Sequence, residues 1–384
     1  MNNLIYFDNA ATGYPKPAGV IKAAMSAFEN CGGNPGRSGH ILSENASRMV
    51  YKCRESVCRL LNFNLPERVV FTLNATHALN LAIKGLASRG DHILISNLEH
   101  NSVYRPVYSL FEAKENEIEF SIFDATSEND NIIVENFEKS LKVNTKMAVI
   151  TAASNVCGKL LPLRKLSDVC KKYGMLFIID ASQACGETEI DFSDIKPDVL
   201  CSAGHKGLYG PTGTGFAVFS EKVTPKPLLH GGNGIVSELP EMGETLPERL
   251  EAGTINTFGI IGLGAGINYI MDYGIDNIAC RCSEIEKYIT EGLLECGAVI
   301  YSNFRRKTPV ILFNIPGISP DEVASQLGSK RICTRAGIHC APLAHEALGT
   351  GVHGAVRVSL GYNNNICEAQ KFINEINNIK KERK

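Results

Sequence analysis

The stretch Met175-Leu176-Phe177-Ile178-Ile179-Asp180 decides the fold, because an apolar run of strand length closes on a carboxylate. A helical pattern precedes it, with Leu166, Val169 and Cys170 at helical spacing. The same alternation extends in both directions, from about residue 69 to residue 219. Apolar runs at 69–73, 92–96, 147–151, 175–179, 199–202 and 215–219 read as strands, and Leu79, Ile83 and Leu86 repeat at helical spacing after the first. Short apolar runs alternating with helices predict an α/β fold, a parallel sheet wrapped by helices.

At 384 residues the chain exceeds one ordinary domain, and 44% hydrophobic content supplies a substantial core. The texture changes after Gly253: a glycine-rich stretch at 259–266 leads into a helical segment, followed by an apolar run at 310–315, a helix near 321–327 and a closing helix from Ile366. The expected organisation is a large unit at 15–258 and a smaller one made of 259–384 completed by 1–14. The terminal Lys380-Lys381-Glu382-Arg383-Lys384 reads as a solvated helix end.

The 39 Lys and Arg against 41 Asp and Glu give a net charge of −2, which provides no field to recruit nucleic acid or an anionic membrane. A small anionic ligand must therefore be caught locally. The start of the chain lacks a basic segment followed by an apolar core, and no run approaches membrane-spanning length, so a cytoplasmic location is expected. Thirteen cysteines without a Cys-x-x-Cys pair read mainly as small core residues. Cys170, Cys185 and Cys201 lie in or beside apolar segments, and Cys280-x-Cys282 has no second pair to complete a metal site.

In open parallel sheets ligands bind beyond the carboxyl ends of the strands, so the polar residues after each run carry the functional reading. After 69–73 come Asn74-Ala75-Thr76-His77 and a helix, whose free N–H groups suit a phosphate together with the Thr76 hydroxyl. A plain N-cap at Asn74 or Thr76 is the structural alternative. Glu99 and His100 follow 92–96, and Asp180 and Gln183 follow 175–179. The Asp180 carboxylate suits a protonated ring nitrogen of a heterocyclic cofactor, or else caps a helix starting at Ala181. After 199–202 comes Ala203-Gly204-His205-Lys206-Gly207, where a lysine among glycines at a sheet edge is poor core material and good material for a reactive amine. The glycines at 210–215 lack the Gly-Lys-Ser/Thr ending of a nucleotide loop, and Ile267 stands where a dinucleotide fingerprint starting at Gly262 needs glycine, so both nucleotide readings fail.

Ser202-Ala203-Gly204-His205-Lys206, with Asp180-Ala181-Ser182-Gln183 before it and Arg335-Ala336-Gly337-Ile338-His339-Cys340-Ala341 after it, resembles the class V aminotransferase-fold family. Within that family the similarity is to the cysteine desulfurases with a compact Arg-x-Gly-x-His-Cys-Ala loop. It runs from Phe7-Asp8-Asn9-Ala10-Ala11 through Gly253-Thr254-Ile255-Asn256-Thr257 to Arg357-Val358-Ser359, nearly the whole chain. The resemblance implies fold type I with a mainly parallel seven-stranded sheet, and pyridoxal 5′-phosphate (PLP) bound covalently to Lys206. By the same resemblance His100 stacks on the pyridine face, Asp180 pairs with the ring nitrogen and Gln183 bonds the ring oxygen. Ala75, Thr76, Ser202 and His205 hold the phosphate, Asn155 meets cofactor or substrate, and Arg357 clamps the substrate carboxylate with two parallel hydrogen bonds. Thr254 reaches the phosphate of a neighbouring subunit, which implies a homodimer. Three positions depart from the pattern: Ala203 stands where many relatives place a phosphate-binding hydroxyl, Gly207 is an extra residue after Lys206, and His77 replaces a common glutamate.

The resemblance further implies L-cysteine as substrate: PLP acidifies its α-proton, Lys206 moves that proton, and Cys340 takes the sulfur as a persulfide, leaving L-alanine. A free cysteine titrates at about 8.5, so His339, Arg335 or the cofactor's charge must favour the thiolate, and the sequence does not choose among them. Cys340 lies in a polar, glycine-flanked setting that suits an exposed loop, with Cys333 as its control. Taken without the resemblance, Arg357 reads as a surface arginine on a strand, and Arg37 and His40 as part of a glycine-rich turn or as substrate-facing groups. The alternatives are a selenocysteine lyase, a class V PLP enzyme that leaves Cys340 unused, and a non-catalytic sulfur relay, which intact Lys206, Asp180 and Cys340 oppose. The resemblance also implies a sulfur-acceptor protein, and no motif selects iron–sulfur cluster assembly, tRNA thiolation or another pathway as its destination.

Overall fold

The computed structural model describes residues 4–235 and 238–382. Strand β1 (Ile5–Tyr6) precedes two helices, α1 (Ala18–Asn30) and α2 (Ile41–Leu61). Strands and helices then alternate: β2 (Val69–Thr72), α3 (Ala75–Leu86), β3 (His92–Ser96), α4 (Asn101–Glu112), β4 (Glu119–Phe123), α5 (Asp130–Lys139), β5 (Thr145–Thr151), α6 (Leu163–Tyr173), β6 (Leu176–Asp180), the short α7 (Phe192–Ile195), β7 (Val199–Ala203) and β8 (Gly215–Phe219). The C-terminal part runs α8 (Thr257–Tyr273), α9 (Ile275–Glu295), β9 (Val299–Ile300), β10 (Val310–Asn314), α10 (Pro320–Ser329), β11 (Ile332–Cys333), β12 (Arg335–Gly337), α11 (Pro342–Ala347), β13 (Ala355–Ser359) and α12 (Ile366–Lys381). Among the described residues no helix is long and apolar enough to cross a membrane.

Strands β2 to β8 form one seven-stranded sheet in the order β2-β8-β7-β6-β5-β3-β4. Every strand in it runs the same way except β8, which is antiparallel to both β2 and β7. The α/β expectation of a mainly parallel sheet holds. Successive side chains of a strand point to opposite faces, so each strand feeds two cores. Leu94, Ile150, Phe177, Ile179 and Leu200 pack with residues of α2, α5, α6 and α8 on one face. Ile93, Ile95, Val149, Ile178 and Val199 pack with α3 and α4 on the other. Because both faces are covered, these strands read as unbroken apolar runs. Cys170, Cys185 and Cys201 are buried in these cores, as their apolar settings indicated.

The sequence reading omits β4, whose first four residues stay partly or fully exposed at the sheet edge. An edge strand of mixed polarity lacks the continuous apolar signal of the central strands. A second sheet is antiparallel, in the order β12-β13-β10-β9. Strand β1 pairs in parallel with β11, and a bridge between Asp8 and Ser359 continues that pairing onto β13. The N-terminal segment is thus laid along the C-terminal strands.

The glycine-rich stretch at 259–266 lies inside α8 rather than ahead of a helix. Its missing side chains permit close approach. A Cβ at Gly262 would meet Pro211, one at Gly264 would meet Cys53 of α2, and one at Gly266 would stand 2.3 Å from the Leu208 carbonyl oxygen. Helix α8 therefore lies directly against α1, α2 and the loop that follows β7. Gly266→Ala is expected to destabilise the fold by about 2 kcal/mol, as overpacking of a tight interior does, measured by chemical denaturation.

Candidate active site

The carboxyl ends of the central strands open on a cavity of about 180 Å³. Ala75, Thr76, His100, Asn155, Asp180, Gln183, His205, Lys206 and Arg357 line it, joined by Ala10 and Ala11 from the N-terminal segment and by Arg335 and His339. Ser202, Thr254 and Cys340 are not part of this wall.

Local chemistry explains how each side chain is held. Asn74 caps α3 by accepting the His77 N–H at 2.9 Å, which sets the first amides of the helix, at Ala75 and Thr76, against the cavity. The N-cap alternative and the phosphate reading are therefore compatible, since capping takes one amide and the helix start keeps its positive end. His100 caps α4: its Nδ1 accepts the Ser102 N–H at 3.0 Å, so a neutral ring carries its proton on Nε2. Burial lowers the His100 pKa to about 4, helped by the Lys206 charge. Asp180 ends β6 and its Oδ1 accepts the Ser182 N–H and hydroxyl at 3.0 and 2.5 Å. A turn follows rather than a helix, so Asp180 is no helix cap. Gln183 Nε2 donates to the Ala10 carbonyl at 2.9 Å, tying the N-terminal segment to the wall.

The His205 carbonyl accepts from Gly13 N–H at 2.9 Å, Thr12 Oγ1 at 3.1 Å and Lys16 Nζ at 2.7 Å. Burial lowers the Lys16 pKa to about 8. The sequence reading missed Lys16, and a lone lysine between two prolines carries no signal. The His205 ring is pushed down to about 4 by burial and by the charges of Lys206 and Lys16, so it serves as a neutral hydrogen-bonding group. Burial also lowers Lys206 to about 8, opposed by Asp180 and reinforced by Arg357 and Arg335. An amine that sheds its proton this readily is a nucleophile at mildly alkaline pH.

Arg357 is only 1% exposed, which overturns the surface-arginine reading. Its Nη1 donates to the Asn155 carbonyl at 2.9 Å and its Nη2 pairs with Asp8 Oδ1 at 2.8 Å. Each terminal nitrogen thus commits one N–H to the protein and keeps a second. Nε is buried and has no partner among the described residues. Arg335 brings a second guanidinium into the same cavity. Its signal was present as the first residue of the Arg-x-Gly-x-His-Cys motif, and the sequence reading gave it to the thiolate alone. Asn155 Nδ2 donates to the His339 carbonyl at 2.8 Å, while its buried Oδ1 has no partner among the described residues.

Cys340 is exposed, and it follows His339 with both residues in the left-handed backbone region, φ +52° and +55°. The Cys340 carbonyl accepts the Asn101 N–H at 2.7 Å. Its thiol faces a shallow groove walled by Thr76, His100 and Ser102, which also line the cavity, and by Lys84 and Arg105 farther out. Arg335 Nη2 lies 3.9 Å from Cys340 Sγ. Burial and the Arg357 charge push the His339 ring down to about 2, so it stays neutral. Of the protein groups considered, Arg335 is the cation beside the thiol. Cys333 sits on β11 paired with Tyr6, and burial together with Asp8 raises its pKa, which makes it the poorer nucleophile.

Ser202 is fully buried, and its neighbour Ala203 lines the cavity instead. The two-residue alternation of β7 turns the Ser202 hydroxyl away, so the expected serine contact is not made. Thr254 is exposed and accepts a hydrogen bond from Asn34 Nδ2 at 3.2 Å, outside its own chain's cavity. Arg37 donates to the Gly232 carbonyl at 2.7 Å and His40 caps α2, so both serve the surface turn.

Electrophilic cofactor chemistry needs a nucleophilic amine, an anchor for an anion and unpaired polar groups to meet the ligand. Lys206, the α3 amides, and the orphaned Arg357 Nε and Asn155 Oδ1 meet those needs for PLP, and the protein is a PLP-dependent enzyme of fold type I. The chain belongs to the aminotransferase class-V family, whose pattern matches residues 5–372. It is 34% identical to a probable cysteine desulfurase of Pyrococcus abyssi, over 98% of this chain and 94% of that protein. A probable cysteine desulfurase of Methanothermobacter thermautotrophicus is 33% identical over 95% of this chain and 92% of its own length. The apo structure of cysteine desulfurase from Thermococcus onnurineus superposes with a TM-score of 0.91 at 32% identity, covering 99% of this chain and 96% of that one.

The Lys206 environment fixes a pH dependence. A lysine whose pKa falls from 10.5 to about 8 gains its neutral form as pH rises, is half neutral at that point and becomes almost wholly neutral above it. The rate at which the cofactor-free protein takes up PLP, followed by stopped-flow absorbance, is expected to climb to about pH 8 and then level off. An unshifted lysine would keep climbing toward 10.5, and Lys206→Ala should abolish the phase.

Proposed function

We propose that this protein is a cysteine desulfurase that removes the sulfur of L-cysteine onto Cys340 and releases L-alanine. The observation that carries the reading is the pairing of a buried amine, Lys206, with an exposed thiol, Cys340, whose groove shares Thr76, His100 and Ser102 with the cavity. When bound, PLP supplies an electron sink that acidifies the α-proton of an amino acid. The amides of Ala75 and Thr76, the Thr76 hydroxyl and His205 would hold its phosphate, with Ser202 left out because it does not line the cavity. Asp180 would keep the ring nitrogen protonated, Gln183 would face the ring oxygen, and the neutral His100 ring would lie on the pyridine face.

Lys206 moves the substrate's α-proton. Arg335 and the free Nε of Arg357 would meet the substrate carboxylate, and the unpartnered Asn155 Oδ1 would accept from its nitrogen. The Cys340 thiolate, beside the Arg335 guanidinium, attacks the substrate sulfur. An S–S bond forms as the C–S bond breaks, and the electron pair left on carbon takes up a proton to give alanine. A thiolate of a sulfur-acceptor protein docked at the groove then takes the outer sulfur of the persulfide, forming a new S–S bond as the old one breaks and the Cys340 thiolate is released. Lys84 and Arg105 of the groove favour an acidic surface on that partner.

Further parts of the reading concern assembly. Thr254, exposed and outside its own cavity, fits a homodimer in which it completes the neighbouring phosphate site. Free cysteines throughout the described residues accord with a reducing, cytoplasmic compartment. We divide the chain into units at 15–258 and at 1–14 with 259–384, each with its own sheet, although the packing of α8 favours joining that helix to the larger unit.

Alanine and sulfide release from L-cysteine, with reductant, is expected to be stoichiometric in the wild type and lost in Cys340→Ala and Lys206→Ala. Alanine formation that survives Cys340→Ala would move the activity to another class V reaction. A rate on selenocysteine far above that on cysteine would make the protein a selenocysteine lyase. Analytical ultracentrifugation should give a dimer, and Thr254→Val should weaken PLP retention without dissociating it.

A further inference from the structure

Two buried imidazoles stack beneath the cysteine loop. The His339 and His345 rings lie 16° from parallel with centroids 5.2 Å apart, and His339 Nδ1 is 3.0 Å from His345 Nε2. Their protons are dictated by their neighbours. The Arg335 carbonyl, 3.2 Å from His339 Nε2, can only accept, so Nε2 carries hydrogen and Nδ1 of the neutral ring offers a lone pair. His345 Nε2 must then donate, which leaves its Nδ1 to accept from the Thr350 hydroxyl at 2.6 Å. The result is a one-directional chain from Thr350 through His345 and His339 to the Arg335 backbone.

This chain holds the two ends of the nucleophile's loop. Arg335 begins the loop and sends its side chain to Cys340 Sγ, while α11, which carries His345, starts two residues after Cys340, at Pro342. Between them His339 and Cys340 adopt a left-handed backbone that is unfavourable without glycine and persists only where the surroundings impose it. The buried His339 ring is the side-chain anchor of that turn, complementing the bond from Asn155 to its carbonyl. Neither His345 nor Thr350 lines the cavity or the groove.

We propose that His345, supported by Thr350, is a positioning residue for the nucleophile: it fixes the tautomer and orientation of His339 and so keeps Cys340 Sγ beside Arg335. The inference rests on Cys340 being the sulfur acceptor in the reading above.

The test compares full-length holoenzyme with His345→Leu, His345→Gln and Thr350→Val. One readout is Cys340 alkylation by iodoacetamide at neutral pH, followed by peptide mass spectrometry with the exposed Cys367 as internal reference. The other is kcat and KM for L-cysteine. His345→Leu is expected to slow Cys340 alkylation and kcat together by about tenfold or more, as misplacement of a reacting group does, with KM and cofactor absorbance unchanged. His345→Gln keeps an N–H able to reach His339 Nδ1 and should stay close to wild type, with Thr350→Val between the two. Leu as reactive as wild type, or Gln as deficient as Leu, overturns the proposal. Should the Leu variant fail to fold, Thr350→Val decides, since wild-type Cys340 reactivity in it also overturns the idea. A wild type that forms no alanine, yet shows the alkylation contrast, would sink the desulfurase reading and leave the positioning role standing.

Discussion

The guanidinium of Arg357 is the joint on which the site depends. A charge so deeply buried is tolerable only if it is paired and hydrogen-bonded, and its partners come from distant parts of the chain. Asp8 arrives from the N-terminal segment and the Asn155 carbonyl from the segment after β5, while the arginine itself sits on β13. Asn155 then passes the constraint on, because its side-chain amide holds the His339 carbonyl next to Cys340. The strand ends would be rigid without this joint. The N-terminal segment and the cysteine loop would lose the link that joins them to each other, although Gln183, His205 and Asn101 would still touch them.

The cavity concentrates charge in a chain that has almost none to spare. Lys206, Arg335 and Arg357 face it, against Asp180, with Asp8 paired to Arg357 behind the wall. That local excess suits a ligand with a phosphate and a substrate with a carboxylate, although the net charge of the chain is −2. The histidines contribute shape and hydrogen bonds rather than charge, since burial drives His100 and His205 to about 4 and His339 to about 2. Among the groups in the wall with a shifted pKa, Lys206 alone changes its charge near neutrality.

Much of this was legible in the sequence, for physical reasons that also mark where legibility ends. Central strands covered on both faces must be continuously apolar, so 92–96 and 215–219 coincide with β3 and β8, whereas the edge strand β4 gave no such signal. Asp180 and Lys206 stood out because polar residues at the ends of buried strands have no business in a core. Ser202 misled because a motif lists residues in line while a strand sends alternate ones to opposite faces. The engagement of Arg357 was invisible because its partner lies 349 residues away. His345 had no local pattern at all, since its meaning depends on a ring six residues earlier, brought alongside by the turn into α11.

The parallel pairing of β1 with β11, and the Asp8 bridge to Ser359 beyond it, have a temporal side. A ribosome delivers Asp8 before strands β2 to β8 and Arg357 after them, so the Asp8–Arg357 pair closes only once the sheet is made, while Ala10, Thr12, Gly13 and Lys16 can already meet Gln183 and His205. The scaffold is complete long before the pocket. A nascent chain that stalls short of β13 would own every strand-end ligand and still lack Arg357, the one wall residue that β13 contributes to the cavity.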